Sequence, residues 1–296
     1  MDVGIIINPV AGRHHPRVAY SRTELANKVL DVEGLDGQVR LTDGRGSAYA
    51  IAAEMIDSGA RTVVAWGGDG TINEVANATV DTGTTLGVVP GGSGNGFARG
   101  LRLENQPELA LKTALTGPTR FIDAGEIDNR LFVNVAGVGF DAHLAGVFNH
   151  LRVRGVWSYF LSGMLELFTY RASSYTVCTE GQKFTMDAFL VTIANGPEYG
   201  LGAIIAPMAR FDDGALDMIS VAPRSVSSLF WQSRRLFSGT IHRLPGIRFI
   251  SGSTMEISAD RPLIFHVDGE VYDGTDSLRI RVRPSSLGVR VPSVRT

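Results

Sequence analysis

The sequence predicts an open, parallel α/β sheet domain followed by a mainly antiparallel β-sandwich domain with inserted helices. Three observations lead there. Short apolar runs alternate with helix-like segments over the first part of the chain, the pattern of a parallel sheet covered on both faces. Beyond about Asp123, strand-like segments become longer and more frequent. The length of 296 residues is about twice that of a usual domain. The boundary is placed so that residues 1–124 form the first domain and 125–296 the second, with the last strand free to return to the first.

The elements follow in order. Residues 3–7 (VGIII) are a continuous apolar run, read as a buried strand. Asn8-Pro9 breaks it and Ala11-Gly12 continues the turn. Residues 17–30 have helical spacing, 38–42 read as a strand and 47–58 as a helix. Residues 61–66 (RTVVAW) form another buried strand, which runs into Gly67–Thr71 and a helix from Ile72. Residues 86–89 are a fourth strand, followed by Pro90–Gly96, a short helix and a further helix over 106–116. In the second domain, strands are expected at 130–138, 174–179, 184–195, 215–222, 254–259, 262–267 and 277–283. Helices interrupt them at 155–170 and 225–237.

Composition removes several classes of function. With 44% hydrophobic and 20% charged residues, the chain can bury a sizeable core and is not disordered. A formal charge of −2 argues against a cationic nucleic-acid coat, so no nucleic-acid partner is expected. The 25 Arg against 3 Lys read as compositional bias. The single Cys178 excludes an intrachain disulfide and a Cys-based zinc site. The first residues lack a secretory pattern, and no apolar run approaches the ~18–20 residues of a membrane span. A cytoplasmic protein whose membrane contact is peripheral is therefore expected. Glycine is abundant, 35 of 296, against a typical ~7%. With no Gly-X-Y period, these glycines serve turns and close backbone approaches.

Three glycine-rich turns follow three strands of the first domain: Asn8–Gly12, Gly67–Thr71 and Gly91–Gly96. In open α/β sheets, ligands bind outside the carboxyl ends of the strands. Glycines there let backbone N–H groups approach phosphate oxygens, and a helix start adds its positive dipole end. A nucleotide or polyphosphate site is the expectation. There is no Gly-x-x-x-x-Gly-Lys-Ser/Thr loop. No Gly-x-Gly-x-x-Gly opens the first helix, which disfavours a dinucleotide oxidoreductase.

Residues 67–78 (GGDGTINEVANA) resemble the nucleotide-binding signature of the diacylglycerol kinase catalytic-domain family, which includes sphingosine and ceramide kinases and bacterial soluble lipid kinases. NAD kinases share a related GGDGT. Further matches favour the lipid kinases: Asn8-Pro9, Pro90–Arg99 (PGGSGNGFAR), Phe132–Ala142 (FVNVAGVGFDA), Met208–Asp217 (MARFDDGALD) and Val267–Glu270 (VDGE). They run in order from residue 8 to 270.

The resemblance implies an ATP- and Mg²⁺-dependent kinase that phosphorylates a lipid hydroxyl, diacylglycerol slightly ahead of a sphingoid base or ceramide. It places Asn8, Thr42, Gly67, Gly68, Asp69, Gly70, Thr71, Glu74, Gly92, Ser93, Gly94 and Asn95 at nucleotide contacts. Asp69 and Asp123 would belong to a magnesium–water network. Arg210, Asp213 and Ala215 would hold a structural magnesium through two carbonyls and one carboxylate. Asp268 would be the general base and Glu270 its supporting acid. Plainer readings stand beside these: Glu74 as a first-turn helix acid, Thr42 as a strand-end cap, Asp268-Gly269 as a hairpin turn, and residues 210–215 as a solvated acidic turn. His266 reads as a strand residue turned towards neither acid in particular. One departure matters: bacterial diacylglycerol kinases commonly read Gly-Thr-x-Asn-Asp-Phe where this chain has Gly92-Ser93-Gly94-Asn95-Gly96-Phe97. The missing acid at Gly96 puts the metal network in doubt, and the spelling is closer to sphingosine kinases.

Residues 218–255 hold no acid but carry Arg224, Arg234, Arg235, Arg243 and Arg248, interleaved with Phe230, Trp231 and Phe237. Residues 152–170 add Arg152, Arg154, Trp157, Tyr159, Phe160 and Phe168. Basic residues beside aromatics suit an anionic membrane surface, although core aromatics with solvated arginines would look the same. A homodimer is compatible with the sequence. NAD kinase and a non-catalytic nucleotide-dependent lipid sensor are the competing readings.

Overall fold

The computed structural model describes residues 1–12, 16–150 and 170–293. The chain divides into two compact units, Met1–Ile122 with Ser285–Thr296, and Asp123–Pro284.

In the first unit, β1 (Val3–Ile7), β2 (Gly37–Leu41), β3 (Thr62–Gly67) and β4 (Thr85–Pro90) form a parallel sheet in the order β2-β1-β3-β4. Ile5, Ile6, Ile7, Val63, Val64 and Ala65 are all fully buried. Alternate residues face opposite sides of the sheet, so a run buried throughout needs helices on both faces. On one face, Ile5, Ile7, Val64 and Trp66 pack with α1 (Pro16–Glu33) and α5 (Pro107–Thr116) through Ala26, Val29, Leu30, Ala110, Leu111 and Ala114. The other face carries α2 (Ser47–Asp57) and α3 (Asp69–Thr79). On that face, Met55 of α2 occupies the place where a Cβ on Gly4 would lie. The short α4 (Gly96–Gly100) follows β4. The end of the last strand, β18 (Ser277–Arg290), belongs here too, with Val289 parallel to Leu86. Strand order reverses direction between β1 and β3, the place where such sheets open a ligand crevice.

The second unit is a sandwich. Strands β7 (Val135–Gly139), β10 (Leu190–Ala194), β13 (Leu216–Val221), β14 (Ile247–Gly252), β16 (Ile264–Val267) and β17 (Glu270–Asp273) form an antiparallel sheet ordered β14-β13-β10-β7-β16-β17. The facing sheet runs β9 (Gln182–Ala188), β8 (Ser173–Thr179), β15 (Thr254–Ser258) and β18, with β5 (Thr119–Ile127) on β18 and β6 (Arg130–Phe132) on β5. Inward residues of the two sheets make one core: Ala136, Val138, Val191, Ile193, Met218 and Phe265 from the first, and Tyr175, Val177, Ala188, Ile257, Leu278 and Ile280 from the second. Among the described residues its α-helices are α6 (Phe140–His150) and α7 (Val226–Phe237). A small hairpin pairs β11 (Glu198–Gly200) with β12 (Ala203–Ile204).

The fold class expected from the sequence is the one observed. Its details differ where polar groups interrupt the pattern. The strand expected over 130–138 is two strands, because the amides of Val133 and Asn134 turn away to a carboxylate. The strand expected over 184–195 breaks at Phe189, whose amide donates to Val221 O. Strands β14 and β17 escape the sequence pattern because they are sheet edges and only partly buried. Strand β5 escapes it because Asp123 and Glu126 lie in its buried half. The helix expected at 155–170 falls outside the described residues, apart from Tyr170.

Close packing of the first sheet can be tested at Gly87. A Cβ there would lie 2.6 Å from Ala114 O and 2.8 Å from Val64 Cγ2. A carbonyl oxygen in a helix cannot swing aside, so Gly87→Ala should cost about 1–3 kcal/mol of overpacking. Urea unfolding with an unchanged midpoint would show that α5 yields instead.

Candidate active site

The three glycine turns of the first unit meet at the carboxyl ends of β1, β3 and β4. Asn8 follows β1, donates its amide to Trp66 O of β3 (2.9 Å), and donates Nδ2 to Thr71 Oγ1 (2.9 Å). Its Oδ1 accepts from the Val10 amide (3.0 Å), which shapes the turn. The Arg22 guanidinium of α1 donates to Asn8 O and Ala11 O, both at 2.9 Å. Thr42 stands at the end of β2, its amide donating to Ile7 O at 3.0 Å.

Each loop approaches the next too closely for a side chain. A Cβ on Gly12 would lie 2.6 Å from Gly91 O, and one on Gly92 would lie 2.7 Å from Gly68 Cα. The Gly91 amide donates to Gly67 O at 2.7 Å. Thr71 folds over Gly67, whose Cβ would meet it at 2.6 Å. Asn95 takes a left-handed conformation (φ 51°) and closes its own loop, accepting from Gly92 N (3.0 Å) and donating to Gly92 O (2.9 Å). Asn tolerates this backbone better than most residues. The result is a cluster of glycine backbone beside the start of α3, where helix amides and dipole favour an anion. Asp69 is the first residue of that helix. Its Oδ2 lies 2.9 Å from where a Cβ on Gly94 would be, so the carboxylate sits between the second and third loops. Oxygen from a carboxylate beside phosphate-sized backbone cradles fits a magnesium–nucleotide complex.

Glu74 has a different occupation. Its Oε1 accepts from Gly46 N (2.9 Å) and its Oε2 from Ala48 N (3.0 Å) and Tyr49 N (3.4 Å). It thus caps the start of α2 from a neighbouring helix, while Gly46 itself has no side chain to do so.

In the second unit, Asp268 is the organising residue. It is left-handed (φ 45°), followed by Gly269 at φ 90°, and half-buried. Its Oδ2 accepts from Val133 N (2.8 Å), and its Oδ1 from Asn134 N (3.0 Å) and Val135 N (2.9 Å). Its own amide returns a bond to Val135 O (2.8 Å). Three charge-assisted bonds fix the carboxylate on the turn between β16 and β17. Glu270 is two residues on. The Tyr272 hydroxyl donates to its Oε2 (2.8 Å), and the Arg130 guanidinium stacks 3.7 Å from the Tyr272 ring centre.

Asp123 is buried (1% exposed), and its Oδ2 accepts from Gly214 N at 2.8 Å. Its amide donates to Phe211 O at 2.6 Å, so it is tied to the 210–215 loop on both sides. In that loop Asp213 Oδ1 accepts from Ala215 N (3.2 Å), and Arg210 Nε approaches Asp212 at 3.7 Å. The Asp217 carboxyl is pushed above its usual range by burial and, further, by the charge of Asp213. All donors offered by the Arg210 and Ala215 carbonyls and Asp213 are oxygens, the preference of a hard divalent cation. No cluster of three or more His, Cys, Asp or Glu poised for a metal occurs among the described residues.

Two residues that sequence patterning passes over hold this part together. Asn195, fully buried, donates Nδ2 to both Asp123 O and Val133 O at 2.8 Å. Asn134 Nδ2 donates to Glu198 O at 2.8 Å. The available signal was an Asn inside each of two apolar strand segments, since such buried amides must find partners.

Glycine backbone gathered at the switch point of a doubly wound sheet, beside a helix start, has the shape of an anion-binding site. Residues 2–127 match the family model of the diacylglycerol kinase catalytic domain, and 134–291 match the YegS C-terminal NAD kinase beta sandwich-like domain. The chain is 30% identical over 264 residues to "Probable lipid kinase YegS-like" of Chromohalobacter salexigens, covering 86% of this chain and 83% of that one. It is 32% identical over 273 residues to the protein so described in Cronobacter sakazakii, covering 90% and 89%. A crystal structure of a diacylglycerol kinase from Bacillus anthracis str. Sterne aligns with a TM-score of 0.76 at 19% identity, over 100% of this chain and 98% of that one. A second structure from that organism reaches 0.81 at 21% identity over the same shares. The chain belongs to the YegS-like lipid kinase family, and is a kinase.

Removing the Glu74 carboxylate should expose three α2 amides. Glu74→Ala is expected to lose about 0.5–2 kcal/mol, as for a lost helix cap, in a thermal or urea melt. Unchanged stability together with weakened nucleotide binding would assign Glu74 to the nucleotide instead.

Proposed function

We propose that this chain transfers the γ-phosphate of ATP to a lipid hydroxyl, with Asp268 as general base. The observation that supports it best is the Asp268 carboxylate, held by three amides on a left-handed Asp-Gly turn. The amides fix the carboxylate in place while the turn that carries it stays half-exposed, and a base must be both positioned and within reach of the proton it takes. The loops Asn8–Gly12, Gly67–Thr71 and Gly91–Asn95 would bind the phosphates through backbone amides. Asp69 would hold magnesium, which would neutralise charge on the phosphates when bound. Asp268 would take the proton of the attacking hydroxyl as its oxygen bonds to the γ-phosphorus and the bond to the ADP oxygen breaks. Glu270, steadied by Tyr272, would support that carboxylate.

Diacylglycerol remains the favoured acceptor, ahead of a sphingoid base or ceramide. The spelling Ser93-Gly94-Asn95-Gly96 argued the other way, yet each residue with a visible task there serves the loop. Asn95 ties Gly92, Gly94 makes room beside Asp69, and Gly96 is buried at the start of α4. The string therefore speaks of the nucleotide loop and carries no weight on the lipid. A mixed-micelle assay with labelled ATP, offering diacylglycerol, sphingosine, ceramide and NAD in turn, tests the assignment. Phosphorylation of NAD alone would overturn the lipid reading.

Asp268→Asn should lower turnover by about 10²–10⁴, the usual loss for a general base. It also sets an amide NH₂ against one of the three backbone N–H groups, so stability should fall by about 1–3 kcal/mol. Steady-state kinetics and a melt, read together, check both; wild-type turnover would remove Asp268 from the chemistry.

We further propose a peripheral contact with anionic membrane through α7. Trp231 is 67% exposed and Phe237 57%, with Arg234 and Arg235 exposed in the last turn. The Arg234 guanidinium lies 5.9 Å from the Trp231 ring centre. Arg243 and Arg248 are also exposed. Arg224 instead donates to Pro245 O and holds the Gly246 turn. Among the described residues, no helix is long and apolar enough to cross a membrane. Replacing Arg234 and Arg235 by Gln should reduce sedimentation with anionic vesicles and spare turnover on detergent-dispersed lipid. Binding of the parent protein should weaken with added salt, because screening acts over ~8 Å at physiological ionic strength. Equal binding to neutral vesicles at every salt concentration would contradict the electrostatic contact.

A further inference from the structure

Beneath the Asp268 turn lies a buried polar cluster that the proposed mechanism does not use. His266, on β16, is 3% exposed. Its Nδ1 accepts from the Gly269 amide at 3.3 Å, so the neutral ring carries its proton on Nε2. That nitrogen lies 3.3 Å from Asp141 Oδ2 on α6, a close electrostatic contact and not an aligned hydrogen bond. The same Oδ2 accepts from Thr192 Oγ1 (2.8 Å) and from the Tyr199 hydroxyl (2.7 Å). Burial, and next the Asp141 charge, push the Tyr199 phenol well above its ordinary value, so it stays a donor. Room for the cluster comes from Gly137, opposite His266 on β7. A Cβ there would lie 2.3 Å from Asp141 Oδ2 and 3.0 Å from His266 Nε2.

Burying a carboxylate, an imidazole, a phenol and a hydroxyl is costly unless each is bonded, and apolar packing would serve the sandwich as well. What this arrangement does that apolar packing cannot is grip a backbone amide inside the turn. Asp268 and Gly269 are consecutive left-handed residues. The three amides of residues 133–135 hold the Asp268 carboxylate, and His266 holds the next peptide.

We propose that His266, oriented by Asp141, is a positioning residue that fixes the Asp268–Gly269 turn and so the direction of the Asp268 carboxylate towards the acceptor hydroxyl. The inference rests on the reading of Asp268 as the base. Its test uses three substitutions in the full chain. His266→Leu removes both polar contacts. His266→Asn places an amide oxygen near the Nδ1 position and keeps an acceptor for Gly269 N–H. His266→Gln places its amide near Nε2, facing Asp141, and removes the acceptor at the Nδ1 position. A misplacement of about 1 Å can cost about 10²-fold in rate. His266→Leu and His266→Gln should therefore lose about 10–100-fold in kcat with the KM for ATP unchanged, and His266→Asn should regain most of it. Amide hydrogen exchange of residues 268–272 should quicken in the first two and not in the third.

Wild-type kcat in His266→Leu, or recovery by Gln in place of Asn, would overturn the inference. Should the Leu variant fail to fold, the contrast between Asn and Gln still decides. Asp268→Asn, measured in parallel, separates the two levels of argument. If it keeps full turnover, the base assignment falls, and exchange at the Gly269 amide alone then supports or refutes the His266 clamp. If it is inactive while all three His266 variants are normal, the base stands and the clamp is refuted.

Discussion

The candidate base of the second unit depends on one interaction: a carboxylate accepting three successive backbone amides. The amides of Val133, Asn134 and Val135 are directed at Asp268 where a single long strand would otherwise have paired them along its ladder. That diversion splits β6 from β7. The break must then be stabilised elsewhere, since buried carbonyls freed from the ladder need donors. Asn195 supplies them, bridging Val133 O and Asp123 O with one amide group. These contacts thus link β5, which carries Asp123, with Asn195 just beyond β10 and with the turn carrying Asp268.

The first unit solves a different problem. Its loops bring bare backbone together while standing shoulder to shoulder. Gly12 abuts Gly91, Gly92 abuts Gly68, and Gly94 abuts Asp69, so that a Cβ on Gly12, Gly92 or Gly94 would lie within 2.9 Å of the neighbouring loop. Side chains that do appear are used to hold the loops still: Asn8 on Thr71, Asn95 on Gly92, Arg22 on Asn8 and Ala11. Rigidity of this kind lowers the entropy lost when a flexible polyphosphate is captured. Some of the abundant glycine, which composition alone leaves unassigned, serves such contacts.

Acidic residues divide by environment. Glu74 and Asp268 both receive several amides, yet one caps a helix and the other sits on a half-exposed turn. Glu126 is buried and answers Arg281 and Arg283. Side-chain chemistry is the same in all three; access to a substrate separates a catalytic candidate from a structural acid.

Much of this protein was legible in the sequence. Apolar runs such as VGIII and TVVAW read as buried strands between helices, and the structure places them so; glycine turns after three of the strands gave the expectation of a phosphate-binding sheet edge. The ordered matches from Asn8 to Glu270 carried the family. What the sequence could not decide was which polar residues face which. Glu74 carries a nucleotide-contact motif but its partners are amides 26 and 28 residues earlier. His266, read as facing neither acid, reaches the amide of Gly269 because two left-handed residues fold the turn back over it. The strands β5, β14 and β17 were hidden because burial at a sheet edge, or around a paired carboxylate, does not follow a local period. Periodicity reports the solvent on either side of a segment. Hydrogen bonds between residues some 130 positions apart, as between Asp268 and Val135, exist only once the sandwich has closed.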